Sequence, residues 1–218
     1  MIGPTVAEQG FQYADRAEKA ESARLGMWIF LAGETLFFGA LVTGFLVYRI
    51  GDPAGFAAAG RNTELVFGAV NTAILLTSGA AMFLGVEAAQ AAQEAGAGER
   101  RAGWPWLALT TALGLAFLTV KGVEWHGDWT KLLVPGLHWS FAGRGRSDEI
   151  FMWLYFAMTG IHVVHMIVGV VLVGRLAVLG ALGRPASPLV VAMIGLYWGF
   201  VDIVWIFLFP LLYLGGRA

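Results

Sequence analysis

The chain has 218 residues, of which 58% are hydrophobic and only 13% charged, with a net charge of -1 and no cysteine. Soluble domains carry about 25% charged residues, so this composition, with a mean hydropathy of +0.69, describes an integral membrane protein. The near-zero charge excludes an electrostatic nucleic-acid binder, and the lack of cysteine excludes disulfides, thiolate metal sites and iron–sulfur clusters.

Residues 1–24 read as a short polar tail, with a surface helix around Tyr13–Arg24. The tail lacks the apolar run and small-residue cleavage site of a secretory signal, so the first span must drive insertion itself. That span, about residues 25–48, lies in RLGMWIFLAGETLFFGALVTGFLVYR and is long enough for a helix to cross the ~30 Å hydrocarbon core. Its one ionisable side chain, Glu34, falls about 13 Å along the helix axis, near mid-membrane. An ionisable group at that depth marks a pathway, a partner or an interface.

A loop with Gly51, Asp52, Pro53, Gly55 and Gly60 follows, made of turn and breaker residues. The second span, about 65–86, carries Asn71 and Ser78 seven residues apart and therefore on one face. A loop rich in Ala, Gln, Glu and Gly runs from Glu87 to Gly103. The third span, about 104–123, ends in KGVEWHGDW, where Lys121, Glu124, His126 and Asp128 with Trp125 and Trp129 read as an interfacial belt. A longer loop, Thr130–Glu149, holds His138, Arg144 and Arg146. The fourth and fifth spans fall at about 150–173 and 189–214. The expected fold is an all-α bundle of five transmembrane helices over residues 25–214. Lysines and arginines divide evenly between the two sides, so they do not set the orientation.

The polar residues inside the spans are the candidates for function. In the fourth span Tyr155, Thr159, His162 and Gly169 form one stripe, with His165 or Met166 between the last two. His162 and His165 could hydrogen-bond between helices, or join a metal site if Glu34, Glu124 or Asp202 supplied a further ligand. In the fifth span Gly195, Trp198, Asp202, Trp205 and Phe209 share a face, and Gly195 with Gly199 has the spacing that permits close helix approach. A neutral Glu34 could hydrogen-bond Asn71, His162 or His165; a charged one would need a protonated histidine or a water chain. Helix packing and proton handling both use that geometry.

The motifs carry a resemblance. The Glu34 helix, VNTAILLTSG, LAFLTVKGVEW, LYFAMTGIHVVHMIVG and LYWGFVDIVWIFLFPLLYL resemble, in order, five helices of the cytochrome c oxidase subunit III family. The match covers about residues 24–214 and includes the Thr-Gly-x-His-x-x-His-x-x-x-Gly pattern at His162 and His165 and the Phe-Val-Asp-x-Val-Trp pattern at Asp202 and Trp205. Two departures stand out. Gly199 occupies a position where the family usually has histidine, and the chain resembles the five-helix form, without the first two helices that help make a phospholipid-holding cleft in longer members.

The resemblance implies a non-catalytic subunit of a respiratory haem–copper oxidase. It would carry no haem, copper or other metal, pack against catalytic subunit I and other oxidase subunits, and support proton uptake and turnover stability, in part through bound phospholipid. It also implies the bacterial cytoplasmic (inner) membrane, with the N-terminus cytoplasmic and the C-terminus periplasmic. The homologous subunit of a quinol oxidase or nitric oxide reductase shares these motifs. A di-haem anchor would need more transmembrane histidines, and a transporter would show internal repeats and broken helices.

Overall fold

A computed structural model describes residues 6–95, 103–140 and 145–217. Five helices in it are long and apolar enough to cross a membrane: Ala20–Gly51, Leu65–Ala95, Trp104–Thr130, Arg146–Ala181 and Pro188–Leu214. The chain is a multi-pass helical membrane protein.

Helix α1 runs unbroken from Val6 to Gly51. The tail expected before residue 25 is therefore helical from Val6 onward and continuous with the first span. Helix α2 (Pro53–Gly60) lies where a loop was expected. Asp52 caps it, its side chain accepting the Gly55 N–H at 3.0 Å, and Pro53 fits the first turn because no helical partner awaits its missing N–H. Helix α3 (Leu65–Ala95) extends through the first half of the loop expected at Glu87–Gly103, and residues 96–102 lie outside the described ones. Ala, Gln and Glu are strong helix formers, which explains the extension.

Helix α4 spans Trp104–Thr130. A two-residue hairpin follows, β1 (Leu133–Val134) with β2 (His138–Trp139), antiparallel and turned at Pro135–Gly136. Gly136 has φ +76°, a conformation that side-chain-bearing residues rarely adopt. Helix α5 covers Arg146–Ala181 and α6 covers Pro188–Phe209. Residues 141–144, with Arg144 of the expected loop, lie outside the described ones. Pro210 cannot donate the N–H that would continue α6, and the chain passes into a π-helical turn, Pro210–Leu214, closed by Gly215 N–H donating to the Pro210 carbonyl at 3.1 Å.

Helix α3 packs on α4 and α6, and α4 on α5, while α1 rests more lightly on α5 and α6. Lipid tails are as apolar as leucine, so close packing and hydrogen bonds rather than water exclusion hold such helices together. Glycines admit the large rings. A Cβ at Gly114 would lie 2.8 Å from the Trp198 ring and one at Gly169 would lie 3.0 Å from it. The indole of α6 thus fills space left by two glycines on α4 and α5. On α1 the inward residues Leu31, Phe38 and Phe45 recur every seven positions, and Phe45 meets Phe56 and Phe151 edge-on.

Polar ties fasten the end of the bundle that carries α2 and the π turn. Arg49 donates to the Gly215 carbonyl at 2.9 Å, and Arg217 donates to the carbonyls of Thr63 at 2.7 Å and Gly60 at 3.3 Å. Lys131 pairs with Glu64, and the Ser147 hydroxyl donates to Asp52. The Ser147 hydroxyl and the Gly55 N–H together hold the Asp52 carboxyl below the ordinary carboxylate range.

Candidate functional site

The polar residues separate into three groups. The first joins α1 to α5. His165 Nε2 lies 3.2 Å from Glu34 Oε2, and His165 Nδ1 lies 2.9 Å from the Ile161 carbonyl. Both side chains are only partly enclosed, His165 at 17% and Glu34 at 23% exposure. Tyr197 of α6 donates its hydroxyl to the His165 backbone carbonyl at 3.1 Å. The pair borders a mostly apolar cavity of about 360 Å³ between α1, α5 and α6.

The second group occupies the interior. Asn71, Ser78 and Thr110 are fully buried, as is His162, and Asp202 is nearly so. Trp198 donates its indole N–H to Ser78 Oγ at 2.9 Å, and Trp205 donates to Thr72 Oγ1 at 3.0 Å. His162 sits between rings, with Phe117 edge-on at 5.6 Å and Trp205 tilted at 5.2 Å. Both ring nitrogens of His162, both amide atoms of Asn71 and Asp202 Oδ1 have no hydrogen-bond partner among the described residues. Of the partners considered for Glu34, the structure joins His165 to it and leaves Asn71 and His162 in this separate group.

The third group was missed as a unit. Lys121, Glu124 and Asp128, expected at the interface, are buried at 1%, 1% and 2% exposure. Lys121 Nζ donates to Glu124 Oε2 at 3.0 Å, to the Tyr155 hydroxyl at 3.0 Å and to the Tyr213 hydroxyl at 2.6 Å. Both tyrosines in turn donate to Glu124 Oε1 at 2.6 Å. An ammonium has three donors and a carboxylate oxygen can accept two bonds, so a charged lysine paired with a charged glutamate satisfies every bond of the network. The ammonium also lies over the Tyr155, Trp205 and Tyr213 rings at 4.8, 5.4 and 5.3 Å. The π turn carries Tyr213 into this network. A legible signal existed: Gly114, Phe117, Lys121, Glu124 and Asp128 follow at intervals of three or four and form the buried face of α4.

The glycine pair of α6 also divides. A Cβ at Gly195 would meet Val86 at 2.9 Å, whereas Gly199 has nothing within 4 Å. Among the described residues, a Cβ on Gly199 would point into open space. Both line a cleft of about 1000 Å³ between α1, α3 and α6, almost wholly apolar and bordered by Trp28, Met82 and Trp198. Trp205, by contrast, is fully buried.

A bis-histidine haem needs two imidazoles facing each other, but His162 and His165 share one helix, one enclosed by rings and the other engaged with Glu34. His138 stacks on Trp129 beyond the end of α4, with centroids 4.8 Å apart. Among the described residues no group of three or more His, Asp or Glu is placed to hold a metal ion.

Known proteins resemble the chain along most of its length. It is 31% identical to cytochrome c oxidase subunit 3 of Thermostichus vulcanus, over 98% of this chain and 98% of that one. It is 32% identical to the heme-copper oxidase subunit I+III of Aeropyrum pernix, over 89% of this chain and 23% of that longer protein. It is 28% identical to quinol oxidase subunit 3 of Bacillus subtilis, over 96% of this chain and 97% of that one. The family model described as cytochrome c oxidase subunit III matches residues 4–217, and with these five spans and their polar motifs the chain belongs to that family, as subunit III of a haem–copper oxidase.

Proposed function

We propose that this chain is the non-catalytic subunit III of a respiratory cytochrome c oxidase, packed against catalytic subunit I and supporting proton uptake and turnover stability. The observation that carries the reading is the match of nearly the whole chain to cytochrome c oxidase subunit 3 of Thermostichus vulcanus. The Aeropyrum pernix relative, named subunit I+III, supports subunit I as the neighbour. Haem and copper then belong to the partner subunits, in keeping with histidines that are not opposed here. The apolar cleft between α1, α3 and α6 has the size and lining to take phospholipid acyl chains.

In this reading the complex lies in the bacterial cytoplasmic (inner) membrane, with the N-terminus cytoplasmic and the C-terminus periplasmic; the five apolar helices and the bacterial relatives support the membrane. A quinol oxidase is the second reading, favoured by the full-length similarity to the Bacillus subtilis protein. Reduced cytochrome c and ubiquinol offered to the purified native complex decide between them. Oxygen uptake with cytochrome c supports the first reading, and uptake with quinol alone replaces it.

A further inference from the structure

The two bonds of His165 fix a proton count. A carbonyl oxygen only accepts, so the bond to the Ile161 carbonyl requires the proton on Nδ1. In a neutral imidazole Nε2 is then a bare lone pair. An ionised carboxylate likewise offers only lone pairs. The 3.2 Å contact between Nε2 and Glu34 Oε2 is a bond only if one further proton sits between them. Glu34 can hold it as a neutral acid donating to Nε2, or His165 can hold it as an imidazolium donating to the carboxylate. Both descriptions contain the same number of protons.

We infer that Glu34 and His165 form one shared proton-binding site within the membrane span, and that its single proton closes the link between α1 and α5. The inference concerns this pair alone and stands whichever oxidase contains the chain. Two neighbouring groups are titratable: Tyr197 of α6, whose hydroxyl is committed to the His165 carbonyl, and His162 one turn back on α5, enclosed by rings. Helix α1 presents Phe38, edge-on to the His165 ring at 5.4 Å, and Phe30 beside Tyr197. The surroundings, among the described residues, thus offer no salt bridge in exchange for the proton. Among the described residues, the only other side-chain hydrogen bond from α1 to the remaining helices is Arg49 to Gly215, at the end of the span. Loss of the proton would set two lone pairs against each other and free the middle of α1.

The test is a pH titration of the full chain in lipid nanodiscs, carrying ¹⁵N-histidine and ¹³C-glutamate and followed by NMR. His165 and Glu34 signals are assigned by their loss in His165→Gln and Glu34→Gln. The expected result is one transition in which the Nε2 and Glu34 carboxyl resonances move along the same curve, with Nδ1 protonated throughout. In Glu34→Gln the amide can donate to Nε2 without any added proton, so the His165 transition should disappear from that pH range. An ionised Glu34 beside a neutral His165 below the transition, separate transitions for the two groups, or an unchanged His165 curve in Glu34→Gln would each overturn the inference.

Discussion

Replacing Lys121 by methionine should be among the most damaging single changes in the protein. The substitution keeps most of the side-chain volume but removes three hydrogen bonds, those to Glu124, Tyr155 and Tyr213. Glu124 would be left as a carboxylate at 1% exposure, still bonded by two tyrosine hydroxyls but with its cation gone. Removing one member of a buried ion pair costs about 3–5 kcal/mol, because the remaining charge stays out of water. The double variant Lys121→Met/Glu124→Gln removes both charges and keeps an amide oxygen to accept the tyrosine bonds. It should recover part of the loss, with a coupling between the two sites of about 2 kcal/mol. Reversible unfolding of the four species by a denaturing detergent in mixed micelles measures that coupling. A Lys121→Met variant within about 0.5 kcal/mol of the parent, or strictly additive effects, would refute the closed network.

Three further outcomes are expected. Glu34→Gln should assemble normally and change turnover or its pH dependence, whereas Glu34→Ala should weaken the hold of α1; subunit retention and oxygen consumption of the purified complex check both. Gly114→Ala places a methyl 2.6 Å from Val170 Cγ2 and 2.8 Å from Trp198, an overpacking cost of about 1–3 kcal/mol, while Gly199→Ala should leave the stability of the isolated chain unchanged. Asp52 holds its proton less tightly when folded, so its ties to Ser147 and α2 contribute above the ordinary carboxylate range and are lost as pH falls through the lowered value. Hydrogen exchange of α2 should accelerate at acid pH, and Asp52→Asn should flatten that dependence.

The five spans were legible because length and hydropathy over about twenty residues leave few alternatives. Their ends were less so. The Ala, Gln and Glu run after Val86 suits a helix as well as a loop, and Pro53 starts a helix as readily as it breaks one. Spacing on single helices put Asn71 with Ser78, and Tyr155 with His162, on common faces, and the structure buries those faces. What spacing cannot give is the pairing between helices. His165 reaches α1 while His162 packs against rings of α4 and α6; three residues leave the two side chains about 60° apart on α5, close enough to read as one stripe yet able to meet different neighbours. The lysine network was hidden for the same reason. Its members come from three separate segments, and aromatic residues beside Lys121 and Glu124 resemble a membrane interface when read along one strand of sequence. The irregular turn at Pro210, which delivers Tyr213, has no periodic signal at all.

Purification of the native complex from its membranes, under mild detergent and with an affinity tag on this chain, tests the central claim most directly. Mass spectrometry and a reduced-minus-oxidised spectrum then identify the polypeptides and haems. The account predicts that the chain co-purifies with a haem–copper catalytic subunit that consumes oxygen with reduced cytochrome c, and that the chain released from it is colourless. A chain that purifies without an oxidase subunit, or that retains haem by itself, would contradict it.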